Sequence, residues 1–538
     1  MMRRSLLAAV ALVGLALVNA ACGSGGRKSG EVRNQLRISI AGDPKSFDPL
    51  QVIDDSSDTV RYLTSGVLVR VNRATDALEP ELAESWKMSD DGRTISFHLR
   101  PGLKFSDNTP LNANDVERTL RRALDPKEAS PYRDKFAGDP AITVSSQLDI
   151  TIAYAGPKPG LDRLFDTLPI VPATMAKLPA SAGPFYYSDY RPGEYVMLAR
   201  NPNYWKHDSS GKQLPYLDSV RVAIQGNHDV EVEKFLRGEQ DIVAKLEPAA
   251  FDRVEKAKPG SAKSLGPSLN SESMWFNESP RGPLPEWKRK WFQSAAFRHA
   301  VSLAINREDI ARVVYGGRAH ASAGPVSPAN KFWFNASLKP LPYDQRAAMK
   351  ALTSEGFTQQ TGGLRDAAGH PVEFSLITNG GNASREHMAP LIQSDLAKLG
   401  MKVNVVTLDF NSLLDRLTKS FNYEAVLLSL NIEADPIEVM NLWLSSGDHH
   451  AWYLSEKTPA TPWEARIDEL EKIQATSGSR DVRKKAFDEV QKIAVEQEPI
   501  IYLVNPDALC AIAPELKGAQ PSVAPPSVWW NVEWLRFD

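Results

Sequence analysis

The chain has little cysteine: two residues, Cys22 and Cys510, in 538. Cys510 lies in an apolar run, Ala508-Leu-Cys-Ala-Ile512, and reads as a small buried hydrophobe rather than a nucleophile. A disulfide framework is therefore not what holds this protein together. Long apolar runs are missing after the N-terminus; none reaches the roughly 18 residues that span a bilayer. An excess of one charge is missing too, with 63 Lys and Arg against 66 Asp and Glu and a net charge of -3. That balance argues against a nucleic-acid binder, which carries a basic excess. Signatures of catalysis are absent: there is no G-x-S-x-G elbow, no H-E-x-x-H and no Walker phosphate loop. His449-His450 is the only adjacent His pair. Neighbouring side chains seldom share a metal without further ligands. No enzyme activity, metal or cofactor is expected.

What is present begins with an export signal. Arg3-Arg4 precedes the apolar run Leu6–Val18, too short for a membrane span. Asn19-Ala-Ala-Cys22 then resembles a bacterial lipobox, in which the Cys is lipidated and becomes residue one. Asn19 stands where an aliphatic residue is usual, and the alternative is an ordinary signal cut after Ala21. The stretch 23–30, rich in Gly and Ser, is a flexible tether. The remaining length exceeds what one core can bury, so two or more lobes are expected.

Periodicity supplies the elements. Leu36–Ile40, Thr94–Leu99 and Ser145–Ala153 alternate as strands do. Val60, Leu63, Val67 and Leu68 predict one helix over Thr59–Val71. Asp90-Asp-Gly92 predicts a hairpin turn, and Asn112 or Asn114 caps a helix bearing Val116 and Leu120. Phe297–Asn306 is amphipathic, and Asn306 caps the next helix, Arg307–Tyr315. Thr461 caps a helix with Pro462 at its first position, and Ile500–Val504 is a strand.

Three blocks carry a resemblance: Pro80-Glu-Leu-Ala-Glu-Ser-Trp86, then Asp90-Asp-Gly with Phe97-His-Leu-Arg-Pro-Gly-Leu-Lys-Phe-Ser-Asp107, then Thr109-Pro-Leu with Asp115-Val116. They resemble family 5 of the extracellular solute-binding proteins, the dipeptide- and oligopeptide-binding receptors of bacterial ABC importers. Gly183-Pro-Phe185 and Arg200-Asn-Pro-Asn-Tyr-Trp205 are similar to a second signature of that family. Asn108 stands where the family has Gly, and Asn also tolerates a left-handed turn.

The resemblance implies an α/β, type II periplasmic-binding-protein fold: two α/β lobes around a cleft, with an extra subdomain inserted in the first. The implied organisation is 1–21 signal peptide, 22–34 lipidated Cys and tether, and 35–78 the first part of lobe I. There follow 79–182 the insert, 183–275 the second part of lobe I, 276–498 lobe II and 499–538 a return to lobe I. A monomer in the periplasm or on the outer face of the cell membrane is expected, anchored through Cys22. It would close over a peptide or related small solute and dock on permease subunits. A secreted hydrolase, or a chaperone or sensor of the same fold, stays open beside this reading.

In peptide-binding members an Asp in a motif like A-D-Y-x-(D/E)-P holds the peptide's amino group. The matching stretch here is Asn431-Ile-Glu-Ala-Asp-Pro436, which puts Ile432 at the anchor. Glu433 next to it can supply the carboxylate if the loop shifts by one residue; otherwise it is a solvated or salt-bridged acid. Asp435 caps the following helix, Ile437–Leu444, or faces the ligand. Phe47, in the segment after the first strand, and Trp333 and Trp443 complete the candidate ligand contacts.

Overall fold

The computed structural model describes residues 34–431, 435–454 and 456–537. The signal segment, Cys22 and most of the tether lie outside them.

Lobe I is built on a four-stranded sheet in the order Gln35–Ile40, Ser219–Ile224, Tyr195–Arg200, Phe185–Arg191. The first pair is parallel and the others antiparallel. Leu36, Ile38 and Ile40 are buried, as the alternation requires. A second sheet, Ala83–Met88, Thr94–Leu99, Asp149–Ala153, Ala141–Val144, is antiparallel throughout. Its inner face, with Ile95, Phe97 and Leu99, shares a separate core with Val116 and Leu120 of the helix Ala113–Leu124. That helix starts at a full capping box: the Asn112 side chain accepts at its N-terminus, and Asp115 reaches back to the Asn112 amide.

Lobe II rests on a sheet ordered Ile500–Ile512, Asn270–Phe276, Ala425–Asn431, Glu373–Asn379, Lys402–Leu408. Side chains alternate between two cores. Met274, Phe276, Leu376, Leu427 and Ile501 enter one. Trp275, Ile377, Val426, Ile500 and Tyr502 enter the other. Apolar residues run continuously along these strands because both faces are covered.

The strand Ile500–Ile512 is longer than its apolar pattern predicts, since Asn505-Pro-Asp507 interrupts that pattern. Its first residues pair with Asn270–Phe276, and Asp507 to Ala511 pair with Ala262–Pro267. It thus belongs to both lobes. Pro506 has no amide to donate, but its carbonyl accepts from the Ser268 amide at 2.7 Å. The partner strands are irregular at the same level, with register shifts between Ser264 and Pro267 and between Glu272 and Ser273.

The single helix expected over Thr59–Val71 divides. It spans Asp55–Thr64, and Val69–Val71 is a strand paired with Leu78–Pro80. The reason is a close backbone crossing at Thr64: a Cβ on Gly183 would lie 2.6 Å from the Thr64 carbonyl carbon. Ile437–Leu444 also divides, into a 3-10 turn Pro436–Val439 and a short helix Met440–Trp443. Elsewhere local chemistry decides as read. Asn108 has φ 71°, and Asn306 and Thr461 cap their helices through side-chain oxygens.

Phe276 is fully buried and stacks on Phe292 at 4.6 Å. Phe276→Ala is expected to destabilise lobe II by about 3–5 kcal/mol. A urea titration checks this; a loss below about 1 kcal/mol would show that the core collapses around the gap.

Candidate functional site

In open α/β sheets, ligands bind beyond the carboxyl ends of the parallel strands. In lobe I those ends are Ile40 and Ile224. In lobe II they are Asn379, Leu408 and Asn431. The segments that follow, 41–48 on one side and 380–382 on the other, together with Asn431 and Asp435, form the candidate walls.

At this end of lobe II sits a charged group that the sequence pattern did not single out. Arg385 donates through Nε to Glu272 Oε2 at 2.8 Å and through Nη1 to Asn379 Oδ1 at 2.7 Å. Their side chains are 11% and 8% exposed. A signal was available. Glu272 interrupts a run otherwise apolar or small, and Arg385 is a cation in the first turn of the helix Ala383–Ala397, where the dipole favours an acid.

Lobe I and its insert also touch lobe II. Asp76, at φ 62° in a tight turn, accepts from Arg163 Nη1 and from Arg480 Nη2, each at 2.9 Å. The Arg480 guanidinium lies 3.7 Å from the Phe332 ring centre. Beside it, a Cβ on Gly92 would approach Gly478 Cα to 3.0 Å. These contacts draw lobe II against the insert in the described conformation.

The candidate residues divide accordingly. Phe47 is half-buried at the lobe I wall, its ring edge-on to Tyr190 at 4.9 Å and Tyr187 at 5.3 Å. Asp435 caps the turn Pro436–Val439 and takes a two-pronged ion pair from Arg483. Both its oxygens are engaged, so it anchors the loop. Trp333 and Trp443 are buried at 1% and 0% exposure, where the expectation had them facing a cleft. Both rings pack on Phe487, and Trp333 also lies under the Arg483 guanidinium. Their large apolar rings gain more from that core than from a wet wall. Glu433 and Ile432 lie outside the described residues. One group of potential metal ligands converges among the described residues, His450, Glu456 and Glu464, inside lobe II rather than between the lobes.

The comparisons with known proteins agree with this geometry. Residues 77–450, more than half the chain, match the family model for bacterial extracellular solute-binding proteins, family 5. The chain belongs to that family. It is 28% identical over 429 residues to a probable ABC transporter-binding protein of Deinococcus radiodurans, covering 72% of each chain. It is 25% identical to di/tripeptide-binding protein 1 of Pseudomonas aeruginosa, over 86% of this chain and 87% of that one. The solved structure of the ABC transporter substrate binding protein CtaP of Listeria monocytogenes superposes with a TM-score of 0.79 at 22% identity, over 94% of this chain and all of that one. The fold is that of the type II periplasmic binding proteins. In this solute-binding family, the space between the lobes is the ligand cleft.

Two measurements test this region. Arg480→Ala removes the ion pair with Asp76 and the stacking on the Phe332 ring. Exposed ion pairs are worth less than about 1 kcal/mol, so solute affinity is expected to fall by no more than about 5-fold. Small-angle scattering of the solute-free variant is expected to show a larger radius of gyration; an unchanged radius would show that the Asp76–Arg480 pair does not hold the lobes together. The second concerns Glu471, fully buried with neither carboxylate oxygen hydrogen-bonded. Burial pushes its carboxyl up to about 8; Arg483 opposes the rise, and Asp468 and Asp435 add to it. The folded chain keeps a proton that the unfolded chain releases near the ordinary value of 4.5. Stability from this group is complete below that value and is lost as pH rises toward about 8. Glu471→Gln is expected to flatten that decline and to be the more stable form at pH 8. Equal urea midpoints for the two proteins at pH 8 would contradict it.

Proposed function

We propose that this chain is the receptor of an ABC importer, not an enzyme. It captures a peptide or related small solute between its lobes and hands it unchanged to the membrane permease. The observation that carries the reading is the pair of lobes sharing the strand Ile500–Ile512, in a chain that belongs to a solute-binding family. The peptide part is supported by the likeness to di/tripeptide-binding protein 1 along most of both chains. Cys22 carries the lipid that holds the receptor at the outer face of the membrane, and the tether lets it reach the permease. The receptor works as a monomer.

In this reading Phe47 and Glu433 face the solute, while Asp435, Trp333 and Trp443 support the walls from behind. The described residues flanking Glu433 are fixed: Asn431 ends a strand and Asp435 is held by Arg483. Glu433 is the carboxylate for a peptide's amino group, and Arg385, held by Glu272, borders the solute on the same wall. Charge-assisted hydrogen bonds are worth about 1.5–3 kcal/mol each.

The test starts with molecules released by denaturing the purified protein and identified by mass spectrometry. Short peptides are expected; a sugar or a metal chelate would end the peptide reading, and a chemically altered solute would end the receptor reading. With a recovered peptide in hand, Glu433→Gln is expected to weaken binding by about 10- to 100-fold. The N-acetylated peptide is expected to show no such difference between the two proteins. Equal losses for both peptides would take Glu433 out of the anchor role.

A further inference from the structure

We infer that lobe II holds a site for one divalent cation of the zinc class, formed by His450, Glu456 and Glu464. The site is apart from the cleft and does not depend on which solute the receptor carries.

The three side chains converge from two segments. Their exposures are 0%, 6% and 3%, and one ligand atom from each lies within 4.8 Å of the others. His450 Nε2 is 3.6 Å from Glu456 Oε2 and 3.8 Å from Glu464 Oε1. Those separations are too long for hydrogen bonds. Neither His450 Nε2 nor Glu456 Oε2 has a hydrogen-bond partner. Buried polar atoms without partners are costly, and here two of them face each other. The gap suits an ion. Ligands at about 2.0–2.2 Å from a tetrahedral zinc stand about 3.4 Å apart, close to the 3.6 Å and 3.8 Å that separate His450 Nε2 from the two carboxylates.

The surroundings fix each ligand. His450 Nδ1 donates to the Leu442 carbonyl at 3.2 Å, which leaves Nε2 with its lone pair toward the carboxylates. The Trp452 ring packs on the imidazole at 4.0 Å. Trp452 Nε1 donates to Glu464 Oε1 at 3.0 Å, and the other Glu464 oxygen accepts from the Thr461 amide and hydroxyl. Outer hydrogen bonds of this kind orient the ligands of metal centres.

Charge points the same way. Glu278, also buried nearby, is paired with Arg298 at 3.1 Å. No Lys or Arg pairs with Glu456 or Glu464 among the described residues; His450 is their only ion-pair neighbour. One divalent cation balances both carboxylates, with imidazole as the neutral third ligand. A nitrogen and two carboxylate oxygens favour zinc over calcium or magnesium, which prefer oxygen alone. The ion would pin the loop that carries His450 and Glu456 to the first turn of the helix Pro462–Thr476. His449, the neighbour in sequence, is exposed and takes no part.

The test uses the full chain, stripped by dialysis against a chelator and then offered zinc chloride. After gel filtration, elemental analysis is expected to find one zinc per chain, with a raised melting temperature. Glu456→Gln keeps the side-chain volume and is expected to weaken zinc binding at least 100-fold, while His449→Ala leaves it unchanged. Magnesium at the same concentration is expected not to bind. Substoichiometric zinc on the wild type would overturn the proposal, a result that needs no variant to fold. So would equal zinc affinity for the wild type and Glu456→Gln.

Discussion

One backbone segment belongs to two sheets. Ile500–Ile512 pairs with Asn270–Phe276 in lobe II and with Ala262–Pro267 in lobe I, and its hydrogen-bond ladder cannot be broken without exposing buried amides. The lobes therefore cannot slide past one another. What remains is rotation where the ladder is weakest. Pro506 offers no donor, and the opposite strands lose register between Ser264 and Pro267 and between Glu272 and Ser273. A few residues that absorb the dihedral change are what a hinge needs.

Magnitudes separate what holds a lobe from what holds the lobes together. Inside lobe I, Lys206 bridges Glu81 and Glu533, both buried, at 2.9 Å. Removing one partner of such a cluster strands a buried charge and costs about 3–5 kcal/mol. Between lobe I and lobe II, the Asp76–Arg480 pair is partly exposed, at 45% and 36%, and worth under about 1 kcal/mol. That pair is therefore cheap to open beside the buried cluster inside lobe I. Closure that lasts must then be driven by a solute with more affinity for the closed state than for the open one. The charged group Glu272–Arg385–Asn379 lies beside the carboxyl end of the parallel strand Glu373–Asn379, on the wall proposed for the solute.

Local chemistry in the sequence carried the element boundaries where a cap or a turn controls them. Asn108 takes the left-handed geometry that the family fills with Gly, and Thr461 and Pro462 start a helix as spaced. Periodicity failed where a distant segment intervenes. The apolar period through Val67 and Leu68 continues a helix on paper, but those residues turn into the core of the insert and its margin because Gly183 crosses the backbone at Thr64. The same limit hides Glu272 with Arg385, more than a hundred residues apart.

The sequence alone determined the family, the division into lobes, and most caps and turns, because these rest on contiguous residues and their intrinsic preferences. The tertiary structure decided which aromatic rings are core, which acid is neutralised by Arg483, and which charges share a buried space. Those outcomes depend on distances between segments far apart in the chain. A ring's burial or an acid's partner is a property of the packed lobe, not of the residues beside it.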